Sequence, residues 1–331
     1  MGMDFEFSDE QEQLRESVRR FLNERAPISY VRAMYDDPVG TTPEVWKGLA
    51  DLGVLDPALG MIELGVVLEE MGRAVHPGPF LSSAVAAASA IVTVAPKDQL
   101  LAGLADGSVI ATLALDLAHV PDAAAADVVL VADRHDLYAV EDFDVTPVVT
   151  PDGTRNVGAV TANERGRYVG GGDLQAAIDR WMIGYVVDGV GAASAALDLA
   201  VAYSHERVQF DRPIGSFQAV QHLCADMLTS LELGRAGAYY GLWAADHADA
   251  AELHRAATMA KAFASDAFFR IGADAIQVFG GIGYTWEHDI HLFYKRLLTL
   301  QHTLGSTRDH LEELAGIVIG ARNPTQASTN S

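Results

Sequence analysis

One arginine, two glutamines and a tight turn fall together in the run ERVQFDRPIGSFQAVQHLCADM at 206–227. The pattern predicts a helix ending near Phe210, a turn over 211–215 and a second helix from near Ser216, with Phe217, Val220, Leu223 and Met227 on one face. Arg207, Gln218 and Gln221 then converge on the corner, one guanidinium and two amides suited to a phosphate-bearing ligand. The same residues also suit a plain helix–helix turn with a solvated arginine. A second run, Gln277-Val-Phe-Gly280-Gly281-Ile-Gly283-Tyr284, sets three glycines in four positions behind a helix. Glycine there frees the backbone for positive φ and lets a ligand approach the main chain. No strand precedes the run, so it is not a dinucleotide fingerprint of the Rossmann type.

These two runs need helices to hold them, and the pattern supplies helices over most of the chain. Ser8 and Gln11 have capping-box spacing ahead of Leu14, Val18, Phe21 and Leu22, with Pro27 as the stop. Thr42-Pro43 opens a second helix that ends at Gly53. A third, over 61–72, turns Leu64, Val67, Leu68 and Met71 inward and leaves Glu69 and Glu70 on a solvated face. Ala-rich helices fill 82–107, broken at Pro96. Short β-rich runs follow at 109–115, 127–131, 137–140 and 145–149, and a glycine linker at 170–172 ends them. Four long helices near 174–206, 215–247, 250–279 and 287–318 then predict an antiparallel four-helix bundle. The fold class is α+β, mainly α: a helical domain over 1–107, a small β domain over 108–172, the bundle over 173–320, and a disordered tail over 321–331.

Composition narrows the partners. The formal charge of −22 over 331 residues argues against nucleic acid or an anionic membrane, either of which needs a basic face. The single cysteine, Cys224, has no internal disulfide partner and sits on an apolar helix face, which fits the core of a protein in a reducing cytoplasm. No basic-plus-apolar leader opens the sequence, and the longest apolar run, 84–95, is too short to span a bilayer. No metal site is expected.

The corner resembles a known motif. Arg207-x-x-Phe210 followed by Pro213-Ile214-x-x-Phe217-Gln218 is similar to the R-x-x-F-G-x-P-I-x-x-F-Q flavin motif of the acyl-CoA dehydrogenase family, with Asp211 where the family usually has Gly. The second run resembles that family's Q-x-x-G-G-x-G-Y loop. FSDEQEQLRESVRRFL, TPEVWKGLADLGV and ELGVVLEEMGRAVHPGP resemble its N-terminal helical domain, in the family's order. The resemblance implies that Arg207, Phe210, Gln218, Gln277, Gly280, Gly281 and Gly283 lie along the pyrophosphate side of an FAD that belongs mainly to a neighbouring subunit. It also implies an acyl-CoA substrate and an electron-transfer flavoprotein, or a similar acceptor. The T-E-P-x-x-G-S-D-like stretch and W-I-T/S-like strand that hold the flavin ring in full-length relatives have no counterpart here, so the β domain is abbreviated.

The family reaction removes an α-proton from an acyl-CoA thioester while hydride leaves the β-carbon for the flavin, and it requires a positioned carboxylate. The family's Glu of an E-G-T-like motif corresponds to Leu304 in Leu304-Gly305-Ser306. Some relatives place the base before an arginine at the start of the first bundle helix. Asp179-Arg180 offers such a pair, but ungapped counting puts Trp181 and Met182 at those positions and suggests that Asp179 is a solvated residue at the helix start. His302 is the other titratable group near the missing base. Together these features resemble the smaller, degenerate subunit of an α2β2 acyl-CoA dehydrogenase, whose full-length partner supplies the base and the ring pocket. Such enzymes are associated with actinobacterial breakdown of steroid side chains. Two other readings stay open: a homomeric enzyme using Asp179 or His302, and a flavin-free structural or binding subunit.

Overall fold

Local signals at the amino end translate directly into structure. The computed structural model describes residues 7–322. Ser8 caps α1 (Asp9–Arg25), and its hydroxyl and backbone exchange hydrogen bonds with Gln11 in a complete capping box. Helix α2 (Ile28–Met34) follows, then α3 (Pro43–Asp51), capped by Thr42 with Pro43 in its first turn, and α4 (Met61–Arg73). The Ala-rich stretch is a π-helical segment (Leu81–Ala87) running into α5 (Ala88–Val94), then α6 (Leu100–Asp106) after the break at Pro96.

The β layer holds seven strands, not the four expected. They are β1 (Ala111–Ala114), β2 (Val120–Pro121), β3 (Val128–Asp133), β4 (Asp136–Val140), β5 (Phe143–Val148), β6 (Val157–Ala162) and β7 (Arg167–Gly171). One sheet has the order β1-β3-β4-β7, with β1 and β3 parallel and the rest antiparallel; the other is antiparallel in the order β2-β6-β5. The period-two alternation of β3 explains the stacking: Val128 and Leu130 face the main core, while Val129 joins Ala114, Val120, Ala123 and Val160 in a small core between the sheets. The glycines expected as a linker include Gly170 and Gly171, which end β7; Gly170 packs so closely that an added Cβ would meet the Val94 carbonyl at 2.7 Å.

Beyond the sheets run α7 (Gln175–Glu206), α8 (Gln218–His247) and α9 (Ala250–Phe279). The fourth long helix of the expected bundle is two helices, α10 (Ile290–His302) and α11 (Thr307–Arg322). Leu304 and Gly305 take φ of 56° and 103° and end α10. Most of the expected tail over 321–331 lies outside the described residues. Helix α7 is apolar nearly all round because α4, α8, α9 and α10 surround it. Among the described residues it alone is long and apolar enough to cross a membrane, and 78% of its most apolar window is buried inside the fold.

Two glycines set the α4–α7 distance. A Cβ on Gly72 would meet the Asp188 carbonyl oxygen at 1.9 Å, and one on Gly191 would meet the Glu69 carbonyl oxygen at 2.0 Å. At this crossing Glu69 and Glu70 are 4% and 3% exposed, so the solvated face expected for them is wrong. Arg19 donates to Glu70 through Nε at 2.8 Å and Nη2 at 2.7 Å. Tyr239 donates to Glu69 at 2.7 Å, and Arg235 and Arg15 pair with the same carboxylate. Burial pushes Glu69 up, but Arg235, Tyr239 and Arg15 outweigh it and hold the group below the usual carboxylate range. The helix pattern missed this because its cationic partners lie on α1 and α8, far away in sequence.

Candidate functional site

The corner forms where α7 ends. Arg207 leaves the helix in an extended conformation, and β8 (Val208–Gln209) and β9 (Arg212–Pro213) form a two-residue hairpin. Its loop residues Phe210 and Asp211 have φ of 54° and 63°, as a two-residue hairpin loop requires. Aspartate tolerates this region, which accounts for Asp211 at a position usually held by glycine. Phe210 does not tolerate it well, yet its ring is 87% exposed. Gly215 lets the chain return against α7, since a Cβ there would sit 2.8 Å from Ser204 Oγ. The next helix starts at Gln218, two residues later than expected, after a single 3-10 turn at Ile214–Ser216.

Across this corner, α9 ends at the glycine run. Arg207, Tyr203, Thr285 and the Gly280–Gly281 backbone line one open cavity of about 630 Å³. The rings of Tyr203 and Phe279 stack at 4.3 Å and join the two helix ends. Of the three glycines, Gly280 alone has positive φ, 62°, and a Cβ on Gly280 or Gly281 would meet nothing within 4 Å. That open backbone beside an exposed guanidinium is a surface an anion can approach closely. Gly283 is buried, with its Cα face against Phe279 and the Ile276 carbonyl, so it serves packing. The expected convergence of both amides on Arg207 does not occur: Gln221 Nε2 donates to the Gly215 carbonyl at 2.9 Å, and Gln218, Gln277 and Phe210 lie outside the cavity wall.

A second cavity, about 660 Å³, lies between the β layer and helices α7 and α10. Its walls are mostly apolar, with Leu113, Val148, Trp181, Leu298 and Leu304 among them. Leu304 and His302 both face it, whereas Asp179 does not. Asp179 is 1% exposed, accepts from Gln175 Nε2 at 3.0 Å and lies 2.9 Å from His254 Nδ1. It is therefore neither solvated, as expected, nor placed to act in the cavity; burial pushes its carboxyl up despite His254 and Gln175. Two acids line the cavity. Asp116 is exposed and paired with His119 at 3.0 Å, and Asp122 is buried and accepts from Ser82 Oγ at 2.6 Å. Burial pushes Asp122 up, toward the form that cannot accept a proton.

Behind this cavity is a buried charge cluster that the sequence reading missed. Arg296 on α10 donates to Asp152 at 2.9 Å, to Asp188 at 3.0 Å and 3.1 Å, and to Thr154 Oγ1 at 2.6 Å. Arg155 pairs with Asp188 at 2.7 Å. Burial opposes ionisation of Asp188, but Arg155 and Arg296 hold it below the usual carboxylate range. Burial and the same two cations push His76 down to about 3. A signal was available: Asp188 is the lone charge between Trp181 and Leu197 in an apolar helix, and such a residue needs a buried partner.

Mainly helical chains with a β layer set between a helical amino-terminal part and a carboxy-terminal bundle, and with an open corner at the bundle's end, form one structural class. The chain belongs to the acyl-CoA dehydrogenase family, whose members are FAD-dependent acyl-CoA oxidoreductases: the family's N-terminal domain model matches residues 8–108 and its C-terminal domain model matches 175–318. It is 34% identical over 317 residues to acyl-CoA dehydrogenase IpdE2 of Mycolicibacterium smegmatis, covering 93% of this chain and 98% of that one. Among solved structures it is similar to a variant of the Tcur3481-Tcur3483 steroid ACAD, with a TM-score of 0.87, 26% identity, and coverage of 95% of this chain and 99% of that one. The ChsE4-ChsE5 complex of Mycobacterium tuberculosis shares the fold at a TM-score of 0.83 and 22% identity, covering 99% and 100%.

Proposed function

We propose that this chain is the smaller subunit of a heteromeric, cytoplasmic FAD-dependent acyl-CoA dehydrogenase, paired with a full-length subunit in an α2β2 assembly. The observation that carries the reading is a division within the chain. The corner leaves Arg207 and an open Gly280–Gly281 backbone facing outward, while the cavity beside α10 has Leu304 on its wall, and its two lining acids, Asp116 and Asp122, are held by His119 and Ser82. Residues that meet an anion are kept, and the group that would remove a proton is not.

The residues at the corner fit the pyrophosphate part of FAD. Arg207 would bind its phosphate oxygens, Gly280 and Gly281 would let it approach the main chain, and Phe210, held outward in a strained conformation, would cover it from one side. Gln218 and Gln277 would contact the same cofactor from the rim, outside the cavity wall. When bound, FAD supplies the hydride acceptor for α,β-desaturation of an acyl-CoA thioester. The partner's carboxylate takes the α-proton, and an electron-transfer flavoprotein accepts the electrons. Likeness to a protein described as a steroid ACAD supports a bulky steroid acyl group.

Flavin content tests this reading. Co-purified with its partner, the chain should carry FAD, and Arg207→Ala should strip FAD from the complex while the complex stays assembled. Full FAD occupancy in the Arg207→Ala complex would overturn it.

A further inference from the structure

The start of α7 sends Asp179 and Arg180 in different directions. Asp179 meets His254, whereas Arg180 lines a third cavity, of about 350 Å³, between α4, α5, α7 and α8. This cavity shares no lining residue with the two described above. Leu59, Leu64, Ala88 and Val92 give it apolar walls, and Arg180 and Asp246 are its charged groups. Arg180 donates to backbone alone, to the Ala245 carbonyl at 3.0 Å and the Ala176 carbonyl at 3.4 Å, and no carboxylate among the described residues pairs with it. A guanidinium carries more N–H donors than these bonds use, so part of its capacity is open. Asp246 is likewise without a cation among the described residues. Its Oδ1 accepts from the Met61 N–H at 2.8 Å and its Oδ2 from the Ile62 N–H at 3.0 Å, which closes the start of α4, where Gly60 has no capping side chain. Each oxygen can accept a further hydrogen bond.

Charge decides what kind of ligand fits. Arg180 and Asp246 line one space without pairing with each other, so the cavity presents one positive and one negative group, each with room for another partner. A simple anion would meet Arg180 and be opposed by Asp246, and a simple cation would meet the reverse. A molecule carrying both charges satisfies both groups. Thr93 adds to this selection: its hydroxyl donates to the Ser89 carbonyl at 2.7 Å, so toward the cavity it can only accept, as an ammonium group requires. The apolar walls call for an apolar body on the same molecule.

We propose that this cavity is a binding site for a small zwitterion with an apolar side chain, a free α-amino acid such as leucine, bound without chemical change. Arg180 takes its carboxylate, Asp246 and Thr93 take its ammonium, and Leu59, Leu64 and Val92 hold its side chain. At about 350 Å³ the space lies at the small end of ligand pockets, ~300–1,000 Å³. The site is separate from the flavin corner and does not depend on the subunit role proposed above.

Labelled L-leucine is the probe, with binding measured by equilibrium dialysis against the full chain and against its complex with the partner. Leucine should bind saturably to both. 4-Methylpentanoate, which lacks the ammonium, and 3-methylbutylamine, which lacks the carboxylate, should each compete at least about tenfold less well than unlabelled leucine. Arg180→Met should weaken binding at least about tenfold, Arg180→Lys should restore part of the loss, and Val92→Trp, which fills the space, should abolish binding. Absence of saturable binding, equal competition by the three compounds, or full binding by the Arg180→Met protein would overturn the proposal. The competition series uses the unaltered protein, so it decides the matter even where a variant fails to fold. None of these results changes the FAD content of the Arg207→Ala complex, so the two proposals fail separately.

Discussion

Arg296 joins four parts of the chain with one side chain: α10 through its own backbone, α7 through Asp188, the loop before β6 through Asp152 and Thr154, and the end of α4 through the Val75 and His76 carbonyls. Arg296→Met leaves two buried carboxylates with reduced compensation, and we expect a loss of about 3–5 kcal/mol in chemical denaturation. Arg308→Met, which removes an exposed pair with Glu312, should cost no more than ~0.5 kcal/mol. Lys261 is a second buried cation. Its ammonium donates to Ser265 Oγ and the Leu300 carbonyl at 2.8 Å and to the Gly305 carbonyl at 3.2 Å, which ties the end of α10 to α9. Burial lowers its pKa to about 8. In the unfolded chain the lysine stays protonated to higher pH, so between about 8 and the usual lysine value the unfolded state binds more protons and stability rises with pH. Lys261→Met should remove that rise, as read from denaturation midpoints across the window; an unchanged slope would show that the lysine is not perturbed.

Helices with a local signature were legible, and those governed by distant partners were not. The capping box at Ser8 and the Thr42-Pro43 start fixed the openings of α1 and α3 from neighbouring residues. Strands β6 and β7 escaped because their pairing with β5 and β4, not their composition, makes them strands. The break between α10 and α11 was hidden in an apparently continuous helical pattern. It exists because Lys261 and His310 hold the Leu300, Leu304 and Gly305 carbonyls at a left-handed turn. At the site, Arg207 and the glycine run were readable as sequence motifs, whereas the Arg155–Asp188–Arg296 cluster draws on residues more than 100 positions apart. The same physics governs the α4–α7 crossing. Because an added Cβ meets backbone, not a flexible side chain, Gly72→Ala and Gly191→Ala should each destabilise the protein by about 1–3 kcal/mol. A midpoint equal to the parent's would mean that the helices can separate at no cost.

Over the whole molecule, two of the chain's cavities differ in character. One is an open corner lined by Arg207 and the Gly280–Gly281 backbone, and the other is a mostly apolar space with Leu304 on its wall. Exposed Phe210, Tyr284 and Trp286 lie on or beside the loops that form the corner, as expected of a surface completed by another subunit. We propose that flavin chemistry belongs to the pair and not to this chain. The most direct measurement is the flavin absorbance near ~450 nm per protein chain, taken on this protein alone and on the complex with its full-length partner. We expect a colourless protein alone and about one FAD per two chains in the complex. Stoichiometric FAD on the isolated chain, together with oxidation of an acyl-CoA, would contradict the account.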